Sequence, residues 1–192
     1  MTVYQMILSK KFSNKKILLL DSDAKKTNDR TWCFWEKPNG DYENLVSKKW
    51  NTAVFANYNY SRDLDLNPYQ YKMIQGLDFY NYIFEIISKE ENIEFSNQKV
   101  LDFKEENNQV FVRTETENFT CKKLFNSIFD PKEILKQDKY PLLQQHFMGW
   151  KIKTFAPVFT PEKATFMDFS VDQKENTRFM YVLPFSETEA LL

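Results

Sequence analysis

Glycine is almost missing from this sequence. Only Gly40, Gly76 and Gly149 occur among 192 residues, where an average chain has about 7%. None stands in a Gly-x-Gly-x-x-Gly turn, so these residues contain no glycine-rich loop to cradle a phosphate. Histidine is rarer still, at one, and the two cysteines, Cys33 and Cys121, lie far apart. That set does not make a metal shell. A serine-hydrolase elbow, Gly-x-Ser-x-Gly, is also missing. The net charge is −1 and the lysine pairs are scattered, which excludes a concentrated basic face for nucleic acid. Apolar runs such as Ile17–Leu20 are four residues long, against about twenty for a membrane span. With no secretory signal either, a reduced, cytoplasmic chain is the simplest expectation.

Aromatic residues are plentiful: eighteen Phe, ten Tyr and four Trp, or 17%. They suit an apolar ligand, and equally a Phe-rich core. The length allows one domain, or one and a half. Apolar positions between Val3 and Phe12 predict a helix, which feeds the strand Lys16–Asp21. Such a helix-to-apolar-strand succession is the second half of a β-α-β unit. The first strand and its glycine turn are not in the sequence, so the chain is expected to lack its natural beginning. Tyr80, Ile83, Phe84 and Ile87 predict a helix over 77–91. Strands are expected at 93–95, 99–103, 110–112 and 124–129, with a hairpin turn at Asn107-Asn108. Residues 131–145 read as a polar connection, followed by an antiparallel sheet with strands near 147–155, 163–171 and 177–185.

Two tryptophans, a phenylalanine, a thiol and several charges crowd into Asn28-Asp29-Arg30-Thr31-Trp32-Cys33-Phe34-Trp35-Glu36. Further on come Gln145-His146-Phe147-Met148-Gly149-Trp150, Ala164-Thr165-Phe166-Met167-Asp168-Phe169 and Tyr181-Val182-Leu183-Pro184-Phe185-Ser186. These four motifs, in this order and spacing, resemble the lycopene β-cyclase family, flavin-dependent enzymes that close rings on carotenoid ends. The resemblance implies an α/β fold: an incomplete Rossmann-type FAD-binding domain over 1–130, then the start of an antiparallel β-sheet substrate region over 131–192. It implies reduced FAD and NAD(P)H as cofactors, lycopene as substrate, and peripheral contact with a membrane. No metal and no nucleic acid are expected.

Several residues carry the implied chemistry. Asp21, ending the second strand of a nucleotide fold, would accept hydrogen bonds from a ribose; the alternative is a loop acid capping the next turn. Arg30 would reach phosphate or ribose, or else pair with Asp29 or Glu36. Trp32, Phe34, Trp35 and Trp150 are candidates to line an apolar substrate pocket. His146 is expected to fix a strand by hydrogen bonding rather than to act as a base. Asp168 is either a partly buried proton donor or an acid on the polar face of an alternating strand. Cys33 is expected to be an inert, buried thiol. The resemblance places the catalytic acid directly after Leu192, so none is expected in the chain, and Glu187 and Glu189 match only the variable, turn-like part of that motif. Two other readings remain open: another FAD-dependent oxidoreductase or hydroxylase of the same fold, and a non-catalytic fragment.

Overall fold

A computed structural model describes residues 1–129, 131–136 and 138–192. In chain order the elements begin with helix α1 (Thr2–Ser9) and strands β1 (Ile17–Asp21) and β2 (Thr31–Glu36). After a short 3-10 turn (Glu43–Leu45) come β3 (Val46–Trp50), β4 (Thr52–Asn57), β5 (Tyr60–Asp65) and β6 (Gln70–Gln75). Helix α2 (Gly76–Ile87) leads to β7 (Ile93–Asn97), β8 (Val100–Glu106), β9 (Gln109–Thr114) and β10 (Asn118–Cys121). The short helix α3 (Pro131–Leu135) precedes β11 (Lys151–Lys153), β12 (Lys163–Asp168), β13 (Met180–Pro184) and β14 (Glu189–Leu191).

The architecture is mostly β. Its sheets are mixed and antiparallel, and helices are few. By contact the chain divides into two units that interleave along the sequence rather than meeting at residue 130. The first holds residues 1–26 and 81–146; the second holds 27–80 and 147–192.

In the first unit, β1 and β7 run parallel, with Ile17 opposite Ile93 and Asp21 opposite Asn97. The expected α/β character reduces to this two-stranded pair with α1 leading into it. The pair is half-buried along β1, because two strands alone cannot cover both faces. Helix α1 ends at Ser9, earlier than its apolar pattern, since Lys10 turns left-handed (φ 57°) and closes the helix on the Ile7 carbonyl. Strands β8, β9 and β10 form an antiparallel meander. Its first turn is Asn107-Asn108, both left-handed at φ 52° and 60°, as a two-residue hairpin requires. The strand expected over 124–129 does not form. The segment is extended, but none of its residues belongs to a strand or bridge, and Phe125 and Phe129 are exposed. An apolar run becomes a strand only where a neighbour completes the hydrogen-bond ladder. Asp130, which closes that run in sequence, lies outside the described residues.

The second unit contains two sheets. One has the order β2-β6-β3 and the other β11-β14-β13-β12-β4-β5. The antiparallel sheet expected near the C-terminus is therefore larger than its own sequence region, because β12 also pairs parallel to β4, Ala164 opposite Ala53. Strand β14, which sequence patterning missed, sits between β11 and β13. Trp50, Tyr71, Met73, Ala164 and Leu183 form the core where the strands of the two sheets meet. Trp50 is fully buried, and its indole N–H donates to the Pro184 carbonyl at 3.2 Å. That bond removes the one polar cost of burying the ring.

Candidate functional site

The motif Asn28–Glu36 enters the structure as a loop followed by β2, which pairs antiparallel with β6 from Thr31–Gln75 to Glu36–Gln70. Its polar residues fasten the start of α2. The Asn28 side-chain oxygen accepts the Leu77 N–H at 3.3 Å, as an N-cap does. The Arg30 carbonyl accepts the Gly76 N–H at 2.8 Å. A Cβ on Gly76 would sit 2.8 Å from that carbonyl, so the close approach requires glycine. Asp29 accepts the Tyr80 hydroxyl at 2.9 Å and the Arg30 Nε at 3.0 Å. The Tyr80 bond is the main reason its pKa falls below the ordinary carboxylate value. Of the two partners open to Arg30 in sequence, Asp29 is the one it takes.

Strand alternation splits the motif's rings between two faces of β2. On one face Trp32 meets Phe79 and Tyr80 edge-on at 5.2 and 5.8 Å, and Tyr42 meets Phe79 at 5.8 Å. Phe34, half-buried, follows Trp32 on this side. On the other face a continuous run of rings begins. Trp35 lies 4.5 Å from Tyr71 and 5.1 Å from Phe166. Phe166 meets Tyr181 at 5.6 Å, Tyr181 meets Phe179 at 5.2 Å, Phe179 meets Phe169 at 5.3 Å, and Phe169 meets Phe55 at 5.6 Å. Most contacts are edge-to-face, the arrangement that aligns ring edges with ring faces. The run joins the first, third and fourth sequence motifs.

Cys33 and Tyr71 share a side-chain hydrogen bond beside this run. Burial pushes the thiol up to about 11, so it stays protonated and unreactive, as an inert thiol should. Burial raises Tyr71 and, less strongly, Tyr181, which keeps both phenols neutral. The run therefore presents rings and neutral protic groups. Asp168 ends β12 beyond it, with its carboxylate accepting the Ser170 N–H at 2.9 Å.

The remaining candidates lie elsewhere. In the first unit, Asp21 ends β1, but its carboxylate accepts the Asp23 N–H at 2.9 Å and pairs with Lys25 at 3.4 Å. This is the turn-capping arrangement that the sequence left open. His146 is exposed and outside any strand; its only printed partner is Gln144, at 3.5 Å. It does not fix a strand here. Trp150 exchanges backbone hydrogen bonds with Leu192 at 2.7 and 2.9 Å, while its ring is exposed.

Sequence reasoning missed Lys72. It is fully buried in the centre of β6, donating to Glu36 at 3.0 Å, to the Lys37 carbonyl at 2.9 Å and to Glu43 at 2.5 Å. Burial opposes its charge, but the bonds from Glu43 and Glu36 outweigh that and raise its pKa. Glu43, also bonded to Lys49, is held down to about 2 by Lys49 and Lys72. A lysine inside the otherwise apolar Tyr71–Ile74 run was the available signal.

A family model described as lycopene cyclase protein matches residues 7–192. The chain belongs to the lycopene cyclase family. No curated protein matches it. Among solved structures, the crystal structure of FqzB, native proteins, is similar over 55% of this chain and 28% of that one, at 16% identity and a TM-score of 0.40. The chain thus spans well under two-thirds of the length of that protein. Within this lycopene cyclase-family chain, three of the four sequence motifs converge on the aromatic run of the second unit. No group of three His, Cys, Asp or Glu among the described residues is placed to hold a metal.

Proposed function

We propose that the chain is part of a lycopene β-cyclase, closing the ψ-ends of lycopene to the β-ionone rings of γ-carotene and β-carotene. The carrying observation is the ring run from Trp35 through Tyr71, Phe166, Tyr181 and Phe179. In this cyclisation a proton adds to a terminal double bond, a C–C bond closes the ring, and a proton is lost, with no net oxidation. The intermediate cation needs electron-rich faces and must be kept from water. A run of rings with neutral Tyr71, Tyr181 and Cys33 beside it offers those faces without a basic group that would quench the cation.

Reduced FAD, maintained by NAD(P)H, is the cofactor this reading calls for. The fit of these residues to it is incomplete. Asp21 stands at the end of the parallel pair where a ribose would be held, but its carboxylate is engaged with Asp23 and Lys25. No glycine turn accompanies it to receive a pyrophosphate. No step of the mechanism is therefore assigned to the flavin. A proton donor is not evident within the chain either. Asp168 is bonded to Ser170, Glu189 pairs with Lys153, and Glu187 is exposed. The 192 residues by themselves are accordingly expected to be inactive. The setting of this reading is the cytoplasmic face of a membrane, from which a polyene can be drawn.

The experiment uses cells that accumulate lycopene, grown in deuterated water. Expression of the 192 residues alone should leave lycopene unchanged. Extension with a glycine-turn β-α unit before residue 1 and a carboxylate after Leu192 should give β-carotene carrying solvent deuterium at each closed ring. A hydroxylated or reduced carotenoid would replace the cyclase reading with another flavoenzyme. β-Carotene from the 192 residues alone would overturn the assignment of the missing donor.

A further inference from the structure

Exposed apolar side chains and positive charge coincide in one segment. Residues 122–161 contain seven lysines against Asp130, Glu133 and Asp138, whereas the other 152 residues carry 19 basic and 24 acidic side chains. The segment is thus net positive in a chain that is net negative elsewhere. Between Lys139 and Pro161 no acid occurs at all. Among the described residues, 13 of the 25 exposed large apolar side chains fall in these 40 positions. They include Phe125, Phe129 and Leu143 in the first unit, and Phe147, Trp150 and Phe155 in the second.

In the second unit this exposure is not a fraying end. Trp150 is paired through its backbone with Leu192, Thr154 N–H donates to the Thr188 carbonyl at 2.9 Å, and Val158 and Phe159 both donate to the Glu187 carbonyl. A hydrogen-bonded backbone holds the Trp150 and Phe155 rings outward. The acids that face it are Glu189, which is paired with Lys153 at 3.4 Å, and Glu187. No helix among the described residues is long and apolar enough to cross a membrane. Aromatic rings flanked by lysines, with acids excluded, suit the headgroup layer of an anionic bilayer, where rings enter and lysines stay at the phosphates.

We propose that residues 122–161 are the surface by which this chain docks on an anionic lipid bilayer. The proposal deepens the cyclase reading, which calls for a polyene drawn from a membrane, but its test involves no turnover. Loss of one result therefore leaves the other standing.

The test is co-sedimentation of the 192-residue chain with vesicles of phosphatidylcholine, with and without phosphatidylglycerol. Binding should be about tenfold stronger with the anionic lipid at low salt and should weaken as salt screens the lysines. Lys122→Glu with Lys123→Glu should abolish that preference, and Trp150→Ser with Phe155→Ser should weaken binding to both vesicles. Circular dichroism checks that each variant is folded. As a second measurement, brominated lipid should quench tryptophan emission in the parent chain, and Trp150→Phe should lose most of that quenching while still sedimenting. Equal sedimentation with both lipids, or variants that bind as the parent does, would overturn the proposal. So would a chain that forms discrete dimers through this segment and leaves vesicles untouched.

Discussion

Replacing Lys72 by methionine isolates the charge at the centre of the second unit's smaller sheet. Methionine keeps most of the apolar stem, so packing changes little. What is lost is an ammonium whose three donors are all used, on Glu36, Glu43 and the Lys37 carbonyl. Removing one partner of a buried ion pair costs about 3–5 kcal/mol, because the other charge stays buried and unpaired. Glu36 and Glu43 keep 28% and 26% of their side chains exposed, so water recovers part of that. The expected loss is about 2–3 kcal/mol, a fall in melting temperature of roughly 4–12 °C. The loss should also depend on pH. Glu43 is held down to about 2 from an ordinary 4.5, so the stability it contributes is present above the ordinary value and lost as pH falls toward 2. The variant removes one of the two lysines holding Glu43 down and raises its folded pKa. The gap between parent and variant should therefore narrow below about pH 4.5. Urea denaturation followed by tryptophan fluorescence, at neutral pH and at decreasing pH, measures both effects. A loss under about 1 kcal/mol, the range of exposed ion pairs, would refute the network, as would a gap that widens in acid.

Gly40→Ala should destabilise the same unit by about 1–3 kcal/mol, because a Cβ there would overlap the Glu36 carboxylate that Lys72 holds in place. In the Lys72→Met background the cost should shrink, since Glu36 is then free to move; full additivity in denaturation would sink the coupling. Asn28→Ala should remove the cap on α2 and cost about 1 kcal/mol, read as earlier thermal loss of helical signal, while Asn28→Asp should retain most of it. The purified 192-residue chain should show no flavin absorbance, because Asp21 alone cannot hold a dinucleotide. A yellow protein with stoichiometric FAD would contradict that. In a flavin-binding extended form, Asp21→Ala should weaken FAD in a fluorescence titration and Asp168→Asn should not; equal affinity in the Asp21 variant would leave that acid with its turn-capping role alone.

Local chemistry was legible in the sequence wherever neighbours in the chain decide the outcome. Tyr80, Ile83 and Ile87 repeat at helical spacing and are buried in α2. Asn107-Asn108 supplies the two left-handed residues of a hairpin. The four aromatic motifs carried the family, and the ring run gathers three of them, because ring-rich segments bury against one another wherever strands permit. Partners distant in the chain decided the rest. Leu124–Phe129 is apolar enough for a strand, yet strand formation needs a ladder partner that no local pattern reports. Asn28, Asp29 and Arg30 looked like ligand-binding residues, and it took the approach of α2, some fifty positions later, to engage them as its fastening. Lys72 looked like a surface lysine until β2 and the turn at Glu43 closed over it. A charge can be buried only where the fold delivers opposite charges to it. Sequence composition could say that such charges exist, and only the tertiary structure could bring Glu36 and Glu43 to one ammonium.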